Sequence, residues 1–495
     1  MKFIQYAFTS ITEVNDRILL IIQEKFPVDI ELYKKIDDIL LNFLEPLKKD
    51  ISVFIEYPYV DKVYRDSYYT YFSTKYRDYQ RDCVRISFFS SLVKEEDLIE
   101  KVDTGFLENN FLGYCVIRPT FPDIIGRNLL KKKAFKKNNF VSCIHKENVL
   151  INGIKLHVDG FPHSSQDQES ITCAETTVWA MMEYFGHRYA EYKPVLPSTI
   201  INKLNEYADK RMLPSSGLTS EQISFALKDF GFGTMIYSEH EDNANFFPNL
   251  SVYIESGFPV IVIMENGSFE FGHAILMIGR QQFENKDLIQ ALTKSKKEEK
   301  IIAFSSIIKN YVVQDDNMPP YSIIPLNNPG INYDPKTGYA SYKIKAFVVP
   351  LYRKMYMDVR KAREVFAAVF NDSRYGIRTT QKHIFRMYMA SSRSFKEHIG
   401  SQNICSILKT WLLNSAMPRF VWCGEYINVS DAANRTLSSL IVLDATEAGE
   451  NWEDSFIFAA HKKGSLFYAA VDHTYKLIPL EQPFTGFLMY EHNLN

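Results

Sequence analysis

A change of hydrophobic period near the middle of the chain constrains its fold most. Apolar residues recur at helical spacing in runs near 173–185, 197–207 and 220–230. Short apolar segments of strand length then take over, at 234–238, 250–254, 259–264, 274–279 and 311–314. Helices followed by a series of strands predict an α+β unit. Gly186 is expected to close the first helix as its cap. The charged stretch 281–310, with Lys294, Lys296, Lys297 and Lys300, is expected to be a surface insertion.

The flanks have their own signals. A chain of 495 residues corresponds to two to four domains at roughly 100–200 residues each. A helical and mixed Tyr-rich unit over 1–150, a central unit over 151–350 and a mixed unit over 351–495 are expected. In the first, Ile18, Leu19, Ile22 and Phe26 form one helical stripe, and Ile36, Ile39, Leu40, Phe43 and Leu47 form another. Eight tyrosines crowd residues 57–79. One reading is a stacking platform for nucleic acid or a peptide. The favoured reading is a half-buried aromatic surface on which Asp61, Asp66, Asp78 and Asp82 pair the nearby arginines. Residues 111–120 predict a strand, and Asn152-Gly153 predicts a hairpin turn within 148–158. After 350, helices are expected near 356–371 and 378–415, then strands at 419–427, 438–444, 454–461, 465–471 and 484–490.

Charge and cysteine content exclude several classes of function. Lys+Arg is 57 and Asp+Glu is 59, a net charge of -2, so no nucleic-acid partner is expected. The lysines at 131–133, 136 and 137 read as a solvated loop. Six cysteines are too few and scattered for a disulfide framework or a paired zinc motif. That fits a reducing compartment, and a cytoplasmic location is expected. The longest apolar runs, such as Ile18–Ile22 and Phe258–Met264, fall far short of the ~20 residues that span a bilayer. The first residues lack a signal-peptide core, and no membrane association is expected.

One set of residues carries chemistry. Cys173 opens the helix CAETTVWAMMEYFG, where the dipole and free N–H groups favour a thiolate. His273 begins the apolar strand HAILMIG, which would hold the ring rigidly. In VVQDDN a strand ends at Asp315 and Asp316, and a carboxylate there can fix the imidazole tautomer. Asp315 is favoured because it directly follows the strand.

In their order, these pieces resemble the C39-like branch of the papain-like cysteine peptidases. The resemblance covers about 165–325 and rests on Cys173 to Gly186, GLTSEQISFALKDFGF from Gly217, SGFPVIVIM from Ser256, GHAILMIG from Gly272, and VVQDDN. It implies a multidomain α+β protein with a central papain-like domain flanked by helical or mixed regions. It also implies a cysteine peptidase with no cofactor or metal, acting on a protein or peptide substrate through Cys173, His273 and Asp315. The family's oxyanion glutamine lies about six residues before the cysteine. Here position 167 is Asp, flanked by Gln166 and Gln168, and Gln166 is favoured for that role. The charged insertion accounts for the long gap between His273 and Asp315.

Two alternatives stay open. The same scaffold supports an acyltransferase or a deamidase, and a catalytically idle scaffold could bind a partner through the tyrosine-rich unit. Other residue sets carry less. Cys423, Asp444 and His461 could be imagined as a second triad, but no helix follows Cys423 to activate it. Cys143 and His145 have no second pair to complete a metal site. His187 is explained by a helix C-terminus.

Overall fold

The computed structural model describes residues 4–26, 29–100, 102–170, 172–207, 212, 218–266, 272–296, 298–375, 377–378, 380–449, 451–461, 465–469, 475–479 and 486–495. The fold is mixed α+β, with three main sheets and one separate hairpin among the described residues.

The first sheet is antiparallel, in the order β1 (Gln5–Ser10), β2 (Ser52–Tyr59), β3 (Cys83–Phe89), β4 (Phe111–Ile117) and β5 (Ile125–Leu130). Its strands alternate between two apolar clusters. Val53 and Ile55 join the cluster that includes helices Val14–Lys25 and Ile30–Leu44, and Phe54 joins the other. Ile18, Leu19, Ile22, Ile36, Leu40 and Phe43 are buried, as their helical spacing predicts. After β6 (Phe140–Ser142), strands β7 (His145–Ile151) and β8 (Ile154–Gly160) form the expected hairpin. Asn152 and Gly153 take φ of 46° and 82° at its turn. Glycine and asparagine tolerate these left-handed values, which match the strand twist.

The central sheet contains β9 (Phe232–Ser238), β10 (Val260–Glu265) and β11 (His273–Gln281). After β12 (Ile301–Ala303), which pairs elsewhere, β13 (Tyr311–Gln314), β14 (Ser322–Ile324) and β15 (Lys343–Tyr352) complete it. Its order is β14-β13-β11-β10-β15-β9, with β6 also on β11. β11 is buried from His273 to Arg280, which is why it reads as a continuous apolar run instead of an alternating one. The helix Cys173–Arg188 packs against it. A Cβ at Gly279 would lie 2.1 Å from the Val141 carbonyl oxygen, so only glycine lets β6 approach there.

The third sheet runs β12, β16 (His383–Ser391), β17 (Phe420–Ile427), β18 (Ser439–Asp444), β19 (Phe456–His461), β20 (Ser465–Ala469) and β21 (Tyr475–Pro479). Arg386 on β16 ties it to the middle of the molecule. Its guanidinium pairs Glu255 at 2.7 Å and Glu425 at 2.9 Å, all three buried. One continuous apolar cluster extends from Ile11 to Leu494.

Several local expectations need correction. Residues 250–254 belong to a helix, Phe246–Glu255, because a short apolar run has no period of its own. The segment 378–415 is β16 followed by helices Ser392–Ser401 and Ser406–Asn414, not one helical stretch. Gly186 is no cap, since the helix runs on to Arg188. A Cβ at Gly186 would lie 2.2 Å from Pro194 N, so glycine serves close packing. The charged stretch 281–310 is not a mere insertion. It folds as helix Asn285–Lys294, which buries Leu288 and Leu292, and then as β12, parallel to β16. Lys297 and Gly217 lie outside the described residues. So does part of the strand expected at 484–490, and the described remainder contributes only a Leu488–Thr436 bridge.

Replacing Gly279 with alanine forces β6 and β11 apart. The Gly279→Ala variant should lose about 1–3 kcal/mol, read from denaturant midpoints, and an unchanged midpoint would contradict the close approach.

Candidate functional site

Cys173 occupies the first turn of the helix Cys173–Arg188. Thr172 caps it, and the Glu175 carboxylate accepts from the Thr172 N–H at 3.2 Å and from its hydroxyl at 2.6 Å. Residues Ala174 to Phe185 are all buried, so the helix start is anchored while Cys173 stays half-exposed. The first N–H groups of the helix lack intrahelical partners and bias the site toward negative charge.

His273 is the first residue of β11 and lies opposite Met264 of β10. Its Nε2 stands 3.0 Å from Asp315 Oδ1, one residue beyond the end of neighbouring β13. The Cys173 side chain lies beside the ring and helps to raise its pKa. With Nε2 taken by Asp315, Nδ1 is the nitrogen left for sulfur. His273 and Asp315 are therefore hydrogen-bonded to each other, with Cys173 close to the ring.

The two glutamines are placed differently. The Gln166 side-chain amide donates to Asn317 Oδ1 at 3.0 Å, and the Asn317 N–H donates to Asp315 Oδ1 at 3.0 Å. Gln168 is exposed, with φ of 59°. Asp316 comes within 3.7 Å of His273 Nε2, yet neither of its buried oxygens has a hydrogen-bond partner.

Sequence reasoning missed three supports. Tyr333 donates its hydroxyl to Asp315 Oδ2 at 2.6 Å, and the Tyr333 hydroxyl oxygen also lies 3.0 Å from His273 Nε2. Tyr339 stacks on Tyr333 with ring centroids 5.1 Å apart and presents an edge-on contact to His273. His163 holds the backbone of Asp315. Its Nε2 lies 3.0 Å from the Asp315 carbonyl, and its Nδ1 accepts from Asn128 Nδ2 at 2.9 Å. Burial pushes the His163 pKa down to about 4 despite that carbonyl, so the ring is a neutral strut.

The tyrosine-rich segment bears on the site as well. Tyr71 and Tyr79 donate to Glu169 at 3.0 and 3.3 Å, and Lys75 pairs with it at 2.7 Å. Arg118 donates to the Ser165 and Gln166 carbonyls at 3.1 and 3.2 Å. The first unit thus grips the loop leading into Cys173. The expected acid–arginine pairing holds for Asp82 with Arg65. Asp61 instead caps a helix and binds Arg127, and Asp66 accepts from Ser198.

The electrostatics follow from burial and charge. Burial opposes a proton on His273, but the Asp315 charge, its hydrogen bond, the Cys173 side chain and Asp316 outweigh that and raise its pKa well above the usual value. Burial would likewise raise Asp315, but His273, Tyr333 and the Asn317 N–H overcome it and lower its pKa. Asp316 is pushed up to about 7 by burial and by repulsion from Asp315, against the attraction of His273. Elsewhere, burial raises the thiols of Cys83, Cys115 and Cys423, and that of Cys143 to about 12. In the Cys423 set, His461 pairs with Ser439 at the opposite end of β18 from Asp444.

Two groups of donors among the described residues could hold a cation: His273 with Asp315 and Asp316, and Glu147 with Glu183 and His187. The first is already engaged with Cys173 and Tyr333. No described helix is long and apolar enough to cross a membrane. No family model and no curated protein matches this chain.

Asp316 gives a pH prediction with a definite sign. Its folded pKa of about 7 exceeds the ordinary carboxylate value of about 3.9. The folded state therefore binds its proton more tightly, and that stabilisation is lost as pH rises from about 4 to about 7. Asp316→Asn should gain melting temperature relative to the parent as pH rises across this window. A difference that stays flat with pH would contradict the assignment.

Proposed function

We propose that the protein is a thiol hydrolase that cleaves a peptide or isopeptide bond of a protein substrate. The observation that carries this reading is the His273–Asp315 hydrogen bond beside Cys173 at a helix N-terminus. The resemblance to papain-like peptidases in residues 165–325 points the same way.

The chemistry assigns a task to each group. Nδ1 of His273 takes the thiol proton as sulfur attacks the acyl carbon. The imidazolium then gives that proton to the departing amine, which leaves a thioester. Water loses a proton to the same nitrogen, attacks the thioester and releases the acid and the thiol. Throughout, Asp315 Oδ1 accepts the Nε2–H, and Tyr333 holds the other carboxylate oxygen. That fixes the tautomer whose Nδ1 is the base. By the resemblance, the backbone N–H of Cys173 meets the developing oxyanion. Loss of one such donor typically costs about 10²–10³ in rate. Gln166 as the second donor rests on the resemblance alone, because its amide is engaged with Asn317.

The six cysteines are free, which suits a reducing cytoplasmic setting. Access is from the Cys173 side, since His273 is only 2% exposed.

Cys173→Ala should abolish turnover with a change in stability within about 1 kcal/mol. Incubation with a library of folded and unfolded proteins, read by mass spectrometry, separates the outcomes. Chain scission that depends on Cys173 is expected. A +1 Da change without scission would move the same thioester chemistry to deamidation. Products that persist in Cys173→Ala would refute the site.

A further inference from the structure

The helix that begins at Cys173 ends against a second cluster of donors. Glu183 and His187 are four residues apart and share a helix face. His145 and Glu147 are two apart on β7 and share a strand face. One donor atom from each of Glu147, Glu183 and His187 lies within 4.8 Å of the other two. His145 lies against them. Its ring stacks on His187 with centroids 5.0 Å apart, and its Nε2 stands 3.8 Å from Glu147 Oε2. His145 is 3% exposed, yet neither ring nitrogen has a hydrogen-bond partner. Buried polar atoms are almost always satisfied, and a neutral imidazole lone pair is the commonest protein ligand for a transition metal.

We propose that His145, Glu147, Glu183 and His187 form a binding site for a divalent transition metal, with zinc the best-suited ion. Two imidazoles and two carboxylates fill a tetrahedral shell, and nitrogen donors favour zinc over calcium or magnesium. Donor atoms around a tetrahedral zinc with bonds of about 2.0–2.1 Å stand about 3.3 Å apart, so binding would draw this set inward.

The surroundings suit the ion. His187 Nδ1 lies 2.8 Å from the Glu183 carbonyl oxygen. The same Nδ1 stands 3.7 Å from Glu183 Oε2, so a bound ion would take its lone pair from this ring after the ring turns or gives up the bond to the carbonyl. Glu147 Oε1 accepts from Arg127 at 3.1 Å. Lys62 Nζ straddles the Glu183 carboxylate at 3.3 and 3.5 Å and is half-exposed, free to swing away. The His187 side chain is 24% exposed and gives an ion a way in. Bound there, the metal would clamp the β7–β8 hairpin to the far end of the helix that starts at Cys173. The site does not depend on the hydrolase reading.

The test uses full-length protein carrying Cys173→Ser, so that the candidate nucleophile cannot supply the ligand. After chelator treatment it is titrated with zinc chloride or cobalt chloride and dialysed, and metal is counted by atomic emission. One equivalent per chain is expected, with visible tetrahedral cobalt bands and a raised melting temperature. His187→Gln and Glu183→Gln should each weaken binding at least about tenfold with unchanged far-ultraviolet circular dichroism, while Asp316→Asn keeps the equivalent. Three results would overturn the proposal: no retained metal at micromolar concentration, retention undiminished in both His187→Gln and Glu183→Gln, or loss in Asp316→Asn, which would put the ion at His273.

Discussion

His273 is buried, and burial by itself would strip its proton. The Asp315 carboxylate, 3.0 Å from Nε2, reverses that balance, and in the proposed function the other ring nitrogen serves Cys173. Without this pairing the two nitrogens are interchangeable, and a half-exposed cysteine has no defined base. Every other feature of the site supports this one contact. Tyr333 and the Asn317 N–H hold the two carboxylate oxygens of Asp315, and His163 holds its carbonyl. Rotation of Asp315 would break several hydrogen bonds at once, which is how a buried polar network fixes a single geometry.

The flanking parts reach the site through its supports. The first unit grips the loop before Cys173 through Arg118 and through the Glu169 contacts of Tyr71, Tyr79 and Lys75. The helix from Cys173 is buried along most of its length, so its start is set by packing against β11, the strand that also presents His273. The third sheet joins through Arg386, whose buried charge is balanced by Glu255 and Glu425. Such a buried group destabilises strongly if one partner is removed, and it fixes how the sheets meet.

Much of this was legible in the sequence, and the failures share a cause. Cys173, His273 and Asp315 each stand at the end of an element with a clear apolar run, so local pattern places them. Tyr333 and His163 lie in irregular loops 18 and 152 residues from Asp315, where no period marks them. One tyrosine among 30 carries no signal of its own. β16 lies within the stretch 378–415 where a helix is expected, and Arg386 interrupts its apolar run with a charge. That charge is buried against glutamates contributed from elsewhere. β12 has only three residues between lysine-rich stretches, too few to reveal that it pairs with a distant strand. His145 and His187 looked like an isolated ligand and a helix-end residue, and only folding stacks them.

The most direct test of the central contact is the rate at which iodoacetamide modifies Cys173 near neutral pH, followed peptide by peptide in the parent, His273→Gln and Asp315→Asn. If the imidazole takes the thiol proton and Asp315 orients it, Cys173 is modified ahead of the other five cysteines in the parent. Its rate then falls at least about tenfold in His273→Gln, and to an intermediate value in Asp315→Asn. Equal rates in all three proteins would mean that His273 does not activate Cys173.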